Sequence, residues 1–276
     1  MYCDDENFRE YMQANDNLKT FQLAKKLAEK VPNKETYRLR ATILATMFDA
    51  KESEVKNFYT VNCISSAFYV LTRCLENIIS FTETRRCTSP TCPNPLKQRD
   101  YTLLEVNAND DLQLLTTIDQ RFQQGGKTSC AEKRLRRACC KGTTTFTYEI
   151  GRIFIIETSG GLGQKALRLQ ELPANLTVQG NEFALISVIA FIPPVHPEGI
   201  GHYVTYCRRK VTGSWELYDD LKAKVVHVKE CVKVIPHGII YVPNNLSEYA
   251  TVFFTFPYLC FINIAYYTTA SIGYSL

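Results

Sequence analysis

The sequence predicts an α+β fold, and three observations lead to it. Apolar residues recur at helical spacing through most of the first 80 residues. From Thr144 onward they fall instead into short alternating or continuous runs separated by Gly and Pro. Between these halves, residues 84–142 are punctuated by cysteines and basic side chains. Helices first and strands later indicates segregated α and β layers rather than repeating βα units.

Taken in chain order, Leu18, Phe21, Ala24, Leu27, Ala28 and Val31 line one helical face, and Pro32 stops that run. Asn33 can cap a second helix that carries Tyr37, Ile43, Leu44 and Met47. Residues 1–57 therefore read as an N-terminal helical segment, suited to packing or to an adaptor role. The clearest helix is expected over 63–80, where Ile64, Ala67, Phe68, Leu71, Cys74, Leu75, Ile78 and Ile79 share a face. Asn62 is a good N-cap, which puts Cys63 in the first turn. There the helix dipole and the unpaired amides stabilise a thiolate.

Tyr101–Val106 predicts a strand and Asp110–Phe122 a helix. Further strands are expected at Thr144–Ile150, Arg152–Glu157, Glu182–Ile192, Gly201–Arg208, Trp215–Tyr218 and Gly238–Val242. The chain divides as 1–57, a main unit over 58–242 with its cysteine-rich insert at 84–142, and an apolar tail over 243–276. Val252–Tyr267 carries no charge but contains Pro257, and its 16 residues fall short of the roughly 20 that a membrane span needs. A membrane partner is not expected, although the composition of the apolar tail is left unexplained. A core strand pair, a membrane-surface segment and an imperfect gene-model end are the alternatives for this tail.

A chain of 276 residues with 45% hydrophobic and 22% charged residues can bury a sizeable core. Its net charge of +4 excludes a chain-wide polyelectrolyte. The basic run Lys133, Arg134, Arg136 and Arg137 is local, and reads as a solvated face or a contact to a protein ahead of nucleic acid. The first residues show no basic and apolar leader, so cytoplasm or nucleus is the expected location. In a reducing compartment eleven cysteines are better used for metal or catalysis than for disulfides. Gly126-Lys127-Thr128 lacks the first glycine of a phosphate loop, since Arg121 holds that position. Gly160-Gly161-Leu162-Gly163 reads as a loop.

Zinc takes four thiolate or imidazole ligands in a tetrahedron, usually from two short knuckles. Cys87 and Cys92 form the first knuckle. Cys130 and Cys139 are expected to complete the set, with Cys140 as the alternative to Cys139. Thiol-dependent amide hydrolysis needs a thiolate, a histidine that accepts and returns the proton, and a group that fixes the imidazole. Cys63 suits the first role. His202 opens an alternating strand, and Asp219 follows a second strand after a turn, with Asp220 as its alternative.

Three segments carry a family resemblance: Phe183-Ala-Leu-Ile-Ser-Val-Ile-Ala-Phe-Ile, Gly199-Ile-Gly-His-Tyr-Val-Thr-Tyr and Trp215-Glu-Leu-Tyr-Asp-Asp-Leu-Lys. They resemble the histidine and aspartate boxes of ubiquitin-specific proteases. The Cys, His, Asp order is also that of the family. The cysteine box Asn62-Cys-Ile-Ser-Ser-Ala-Phe68 is similar to that of the divergent ubiquitin-specific-protease-like SUMO isopeptidase. The resemblance covers about 60–242.

It implies a papain-like cysteine protease core, with N-terminal helices, a central helix carrying the nucleophile, a zinc-finger-like insert and an antiparallel sheet. It also implies Cys63 as nucleophile, His202 as base then acid, and Asp219 as the orienting acid. The implied partner is ubiquitin or a ubiquitin-like modifier and its conjugates, and the implied cofactor is a structural Zn²⁺. Five residues before the cysteine, where the family usually has an asparagine oxyanion donor, this chain has Phe58, with Asn57 and Asn62 nearby. Two other readings follow from the same residues: an inactive module that grips a modifier, and a mobile-element-derived zinc and nucleic-acid-binding protein.

Overall fold

The computed structural model describes residues 34–48, 50–52, 58–61, 67–74, 78–107, 113–130, 140–151, 153–159, 166–194, 196, 201–209, 212–219, 222, 224–244 and 270–273, with Lys19, Gln22, Leu23 and Lys26 besides. These residues are mostly strand, with three α-helices: α1 (Lys34–Met47), α2 (Ala67–Cys74) and α3 (Gln113–Gln124).

The largest sheet has eight strands. In chain order they are β5 (Leu104–Asn107), β8 (Phe154–Ser159), β10 (Asn175–Val178), β11 (Asn181–Ile192), β12 (His202–Arg208), β13 (Trp215–Tyr218), β14 (Val226–Val228) and β16 (Pro236–Pro243). They lie in the order β14-β13-β12-β11-β16-β8-β5, and β10 also pairs with β11. Every pairing is antiparallel except β5 with β8. The run Phe183–Ala190 is buried without a break, because β11 sits mid-sheet and is covered on both faces. Leu115, Ile118 and Phe122 form the apolar stripe of α3 and join the core of Phe154, Ile156, Val188, Ala190, Val204, Leu217 and Tyr241.

A second, four-stranded sheet has the order β4-β3-β7-β6, from β3 (Phe81–Cys87), β4 (Leu96–Tyr101), β6 (Gly126–Ser129) and β7 (Thr143–Ile150). One end is rooted in the core. Phe81 pairs with Ile150, and its ring stacks on Tyr101 at 4.7 Å and meets Phe122 edge-on at 5.2 Å. The other end carries cysteines. Two small ladders complete the described strands: β1 (Ala50–Glu52) with β2 (Phe58–Val61) and β17 (Ala270–Gly273), and β9 (Leu167–Arg168) with β15 (Lys233–Val234).

The expected helix over 63–80 differs at its end. Ile78–Ser80 are not helical, and β3 starts at Phe81. Ser80 is fully buried, and its backbone N–H donates to the Tyr101 carbonyl at 2.8 Å. Its hydroxyl donates to the Thr102 carbonyl at 2.5 Å and accepts from the Ile155 N–H at 3.2 Å. These sheet-like bonds outweigh the helical spacing of Ile78 and Ile79. Met47 ends α1 as expected, but β1 then adds a strand inside the segment read as wholly helical. Residues 251–269 of the apolar tail lie outside the described residues, and beyond them β17 pairs with β2. Among the described residues no helix is long and apolar enough to cross a membrane.

Candidate active site and metal centre

His202 opens β12 opposite Ile192, and Asp219 immediately follows β13. The register Thr205 with Tyr218 puts Asp219 one step further along, beside Val204 and diagonal to His202. That diagonal is bridged directly. His202 Nε2 lies 2.9 Å from Asp219 Oδ1, and the two side chains are 14% and 8% exposed. With Nε2 facing the carboxylate, Nδ1 is the nitrogen that would exchange a proton with a nucleophile, the tautomer being set by that hydrogen bond. Gly201 makes the approach to His202 possible, since a Cβ there would stand 2.2 Å from the Phe191 ring. That ring is itself packed on Tyr203 at 5.1 Å.

Burial pushes the Tyr206 phenol up, and the charge of Asp219 pushes it further, so Tyr206 stays neutral beside the pair. Lys222 received no role from the sequence, yet its Nζ lies 3.5 Å from Asp219 Oδ2. The i to i+3 spacing was the available signal. Cys63, Asn62 and Asp220 lie outside the described residues, and the first described residue of α2 is Ala67.

On the other face of β13, Arg209 Nη2 donates to Glu216 Oε2 at 2.5 Å and to the Tyr218 hydroxyl at 3.2 Å, and Tyr218 donates to Glu216 at 2.9 Å. Burial opposes the Glu216 charge, but these bonds from Arg209 and Tyr218 outweigh it and hold the carboxyl below its ordinary range.

A cavity of about 750 Å³ opens between α2 and the root of the four-stranded sheet, with Tyr69, Glu83, Tyr101, Glu105, Tyr148 and Glu157 in its wall. Glu105 and Glu157 stand directly opposite one another in the parallel β5–β8 pair. Burial, and then the Glu105 charge, push the Glu157 carboxyl up to about 7. Strand-by-strand sequence reading has no signal for this pair, because it requires knowing which strands are neighbours.

The four-stranded sheet ends in four sulfurs. Cys87 closes β3, Cys92 lies in the following loop, Cys130 follows β6 and Cys140 precedes β7. Their Sγ atoms all lie within 4.8 Å of one another. Cys87 and Cys140 are 3.5 Å apart, and Cys92 and Cys130 are 3.8 Å apart. Tetrahedral zinc with Zn–S bonds of about 2.3 Å has S···S edges of about 3.8 Å, so the donor set fits the ion. A disulfide, at about 2.05 Å, does not match these separations. The fourth sulfur is Cys140, where Cys139 was named from the sequence with Cys140 as the alternative; Cys139 lies outside the described residues. The Cys130 N–H donates to the Gly142 carbonyl at 2.9 Å, which draws the chain next to Cys140 over the site. Gly142 is itself required there, since a Cβ would lie 2.6 Å from Cys87 Sγ and 2.7 Å from Ser89 Cβ. A backbone hydrogen bond from Ser89 lowers the Cys87 thiol, but burial and the neighbouring thiols outweigh it and push it up to about 12. Burial leads in pushing Cys92 up to about 11. Thiols crowded in this way exchange protons for a soft cation when one binds.

No family model matches the chain. It is similar to the "120.7 kDa protein in NOF-FB transposable element" of Drosophila melanogaster, 40% identical over 53 residues, which are 19% of this chain and 5% of that protein. The chain thus spans a small fraction of this relative's length. Among solved structures, the SAGA Ubp8/Sgf11/Sus1/Sgf73 DUB module aligns at 14% identity and TM-score 0.40, over 62% of this chain and 39% of that one. The yeast SAGA DUB module with a mutant Sgf73 aligns at 14% identity and TM-score 0.42, over 87% and 51%. The same kind of module bound to ubiquitin aldehyde aligns at 12% identity and TM-score 0.38, over 62% and 42%.

Proposed function

We propose that the chain is a thiol isopeptidase with a papain-like core, acting on the bond after the C-terminal glycine of ubiquitin or a ubiquitin-like modifier such as SUMO. The observation that carries this reading is the His202–Asp219 pair, buried and bonded at 2.9 Å. In this mechanism Asp219 fixes the imidazole ring. His202 takes the proton of Cys63, and the thiolate attacks the glycine carbonyl. The resulting imidazolium protonates the leaving lysine amine, and the acyl thioester remains on Cys63. His202 then deprotonates a water, which releases the glycine carboxylate and restores the thiol.

Cys87, Cys92, Cys130 and Cys140 would hold a zinc ion. When bound, the ion cross-links β3, β6, β7 and the loop after β3, a structural role that leaves the chemistry to the side chains. The deciding experiment is hydrolysis of C-terminal fluorogenic amides of ubiquitin and of SUMO by the wild type, Cys63→Ala and His202→Ala. Turnover by the wild type alone supports the reading, and equal turnover by Cys63→Ala contradicts it. Phe58, at the position of the usual oxyanion donor, favours a second reading: a module of the same fold that binds a modifier without cleaving it. Losing one such donor costs about 10²–10³ in rate. Tight modifier binding without turnover would select that reading.

A further inference from the structure

Asp219 is engaged at both carboxylate oxygens. Oδ1 faces His202 Nε2 at 2.9 Å, and Oδ2 faces Lys222 Nζ at 3.5 Å. The carboxylate is 8% exposed, while Lys222 is about half exposed at 49%. Lys222 is also tied into the turn by its backbone, whose N–H donates to the Asp219 carbonyl at 3.0 Å. The turn therefore holds the Lys222 backbone beside Asp219, with the carboxylate within reach of its side chain.

We infer that Lys222 is a positioning residue, which pins the second oxygen of Asp219 and limits how strongly that carboxylate holds a proton on His202. A lone buried carboxylate favours the imidazolium beside it, and the more it does so, the less readily that proton is given up. A cation on the far oxygen neutralises part of the carboxylate charge and repels the imidazolium. Other charged or titratable groups lie near the pair among the described residues. Tyr206, from β12, is held neutral by burial and by Asp219. Arg209, Glu216 and His227 form their own network, with His227 Nδ1 4.0 Å from Glu216.

The mechanistic meaning rests on the isopeptidase reading, in which His202 must both accept a proton and return it to the leaving amine. Lys222 would keep it able to do the second. The charge relation itself does not depend on that reading.

The test is NMR of the zinc-loaded full chain with ¹³Cε1-labelled histidine, titrated as wild type, Lys222→Gln and Lys222→Arg. Removing the cation is expected to raise the midpoint of the His202 titration by about half a pH unit, roughly a threefold change in the charged-to-neutral ratio, as suits a half-exposed partner. Lys222→Arg should restore the wild-type curve. A Lys222→Gln curve that coincides with the wild type overturns the inference, and so does a Lys222→Arg curve that follows Lys222→Gln. The rate of Cys63 labelling by a modifier-based thiol probe is measured on the same samples. Labelling whose pH dependence moves with the His202 midpoint supports both proposals. A displaced midpoint without any labelling supports the role of Lys222 and counts against the isopeptidase reading alone.

Discussion

Glu157→Gln is expected to make the protein more stable at high pH and to change little at low pH. Glu157 faces Glu105 across the parallel β5–β8 pair, and its carboxyl rises from the ordinary 4.5 to about 7. The folded state therefore prefers the protonated acid. Below pH 4.5 the carboxyl is protonated in both folded and unfolded chains and contributes no penalty. Between 4.5 and about 7 the unfolded chain releases its proton first, so stability falls as pH rises, and above 7 the penalty is complete. A shift of this size corresponds to an upper figure of about 3 kcal/mol. The side chain is about half buried, so solvent screening reduces the expected gain to about 1 kcal/mol. For a chain of this length that is about 2–4 °C in Tm. Thermal unfolding of the zinc-loaded wild type and variant at pH 5 and pH 8.5 measures it. Glu105→Gln should give a smaller gain at pH 8.5, because the Glu105 charge is the second cause after burial. A gain that is equal at both pH values, or a loss at pH 8.5, would refute the reasoning.

Three further outcomes are expected. Metal analysis of the purified chain should find one zinc per molecule, lost in Cys140→Ser and retained in Cys139→Ser; the opposite result would reverse the ligand assignment. Gly142→Ala should lower zinc occupancy without touching a ligand, because its Cβ would lie 2.6 Å from Cys87 Sγ, and a competition titration with a chromophoric chelator reads this directly. Arg209→Ala leaves Glu216, 9% exposed, without its cation, and denaturant unfolding at pH 7 should show a loss of about 1–3 kcal/mol.

The sequence made some of this legible and hid the rest for physical reasons. Buried strands announced themselves. Phe183–Ala190 is a continuous apolar run because it is covered on both faces, and Trp215–Tyr218 was bounded correctly. The α3 stripe of Leu115, Ile118 and Phe122 was visible, and residues 110–112 of the expected helix lie outside the described residues. Most of the four-stranded sheet was not. In β4, Leu96–Asp100 is exposed residue after residue, and Thr84, Arg85 and Arg86 of β3 do not alternate with apolar neighbours. A ribbon exposed on both faces needs no hydrophobic period, so β3, β4 and β6 read as loop around the cysteines, and only β7 was expected, over Thr144–Ile150. Ser80 was concealed in a helical pattern because its value lies in bonds to Tyr101, Thr102 and Ile155, which sequence spacing does not encode.

At the site, His202 and Asp219 were recognisable from their strand context, and the structure brings them together. Cys63 was named from an expected helix start and lies outside the described residues. Lys222 and the Glu105–Glu157 pair needed the turn and the strand order, respectively.

The central claim is that Cys63 is a nucleophile served by the His202–Asp219 pair. The most direct test is incubation of the zinc-loaded chain with ubiquitin and SUMO carrying a C-terminal thiol-reactive warhead, followed by intact mass analysis. One covalent adduct is expected, mapped to Cys63, absent in Cys63→Ala and slowed at least about a hundredfold in His202→Ala. No adduct from folded, zinc-loaded protein, or an adduct that persists in Cys63→Ala, would contradict it.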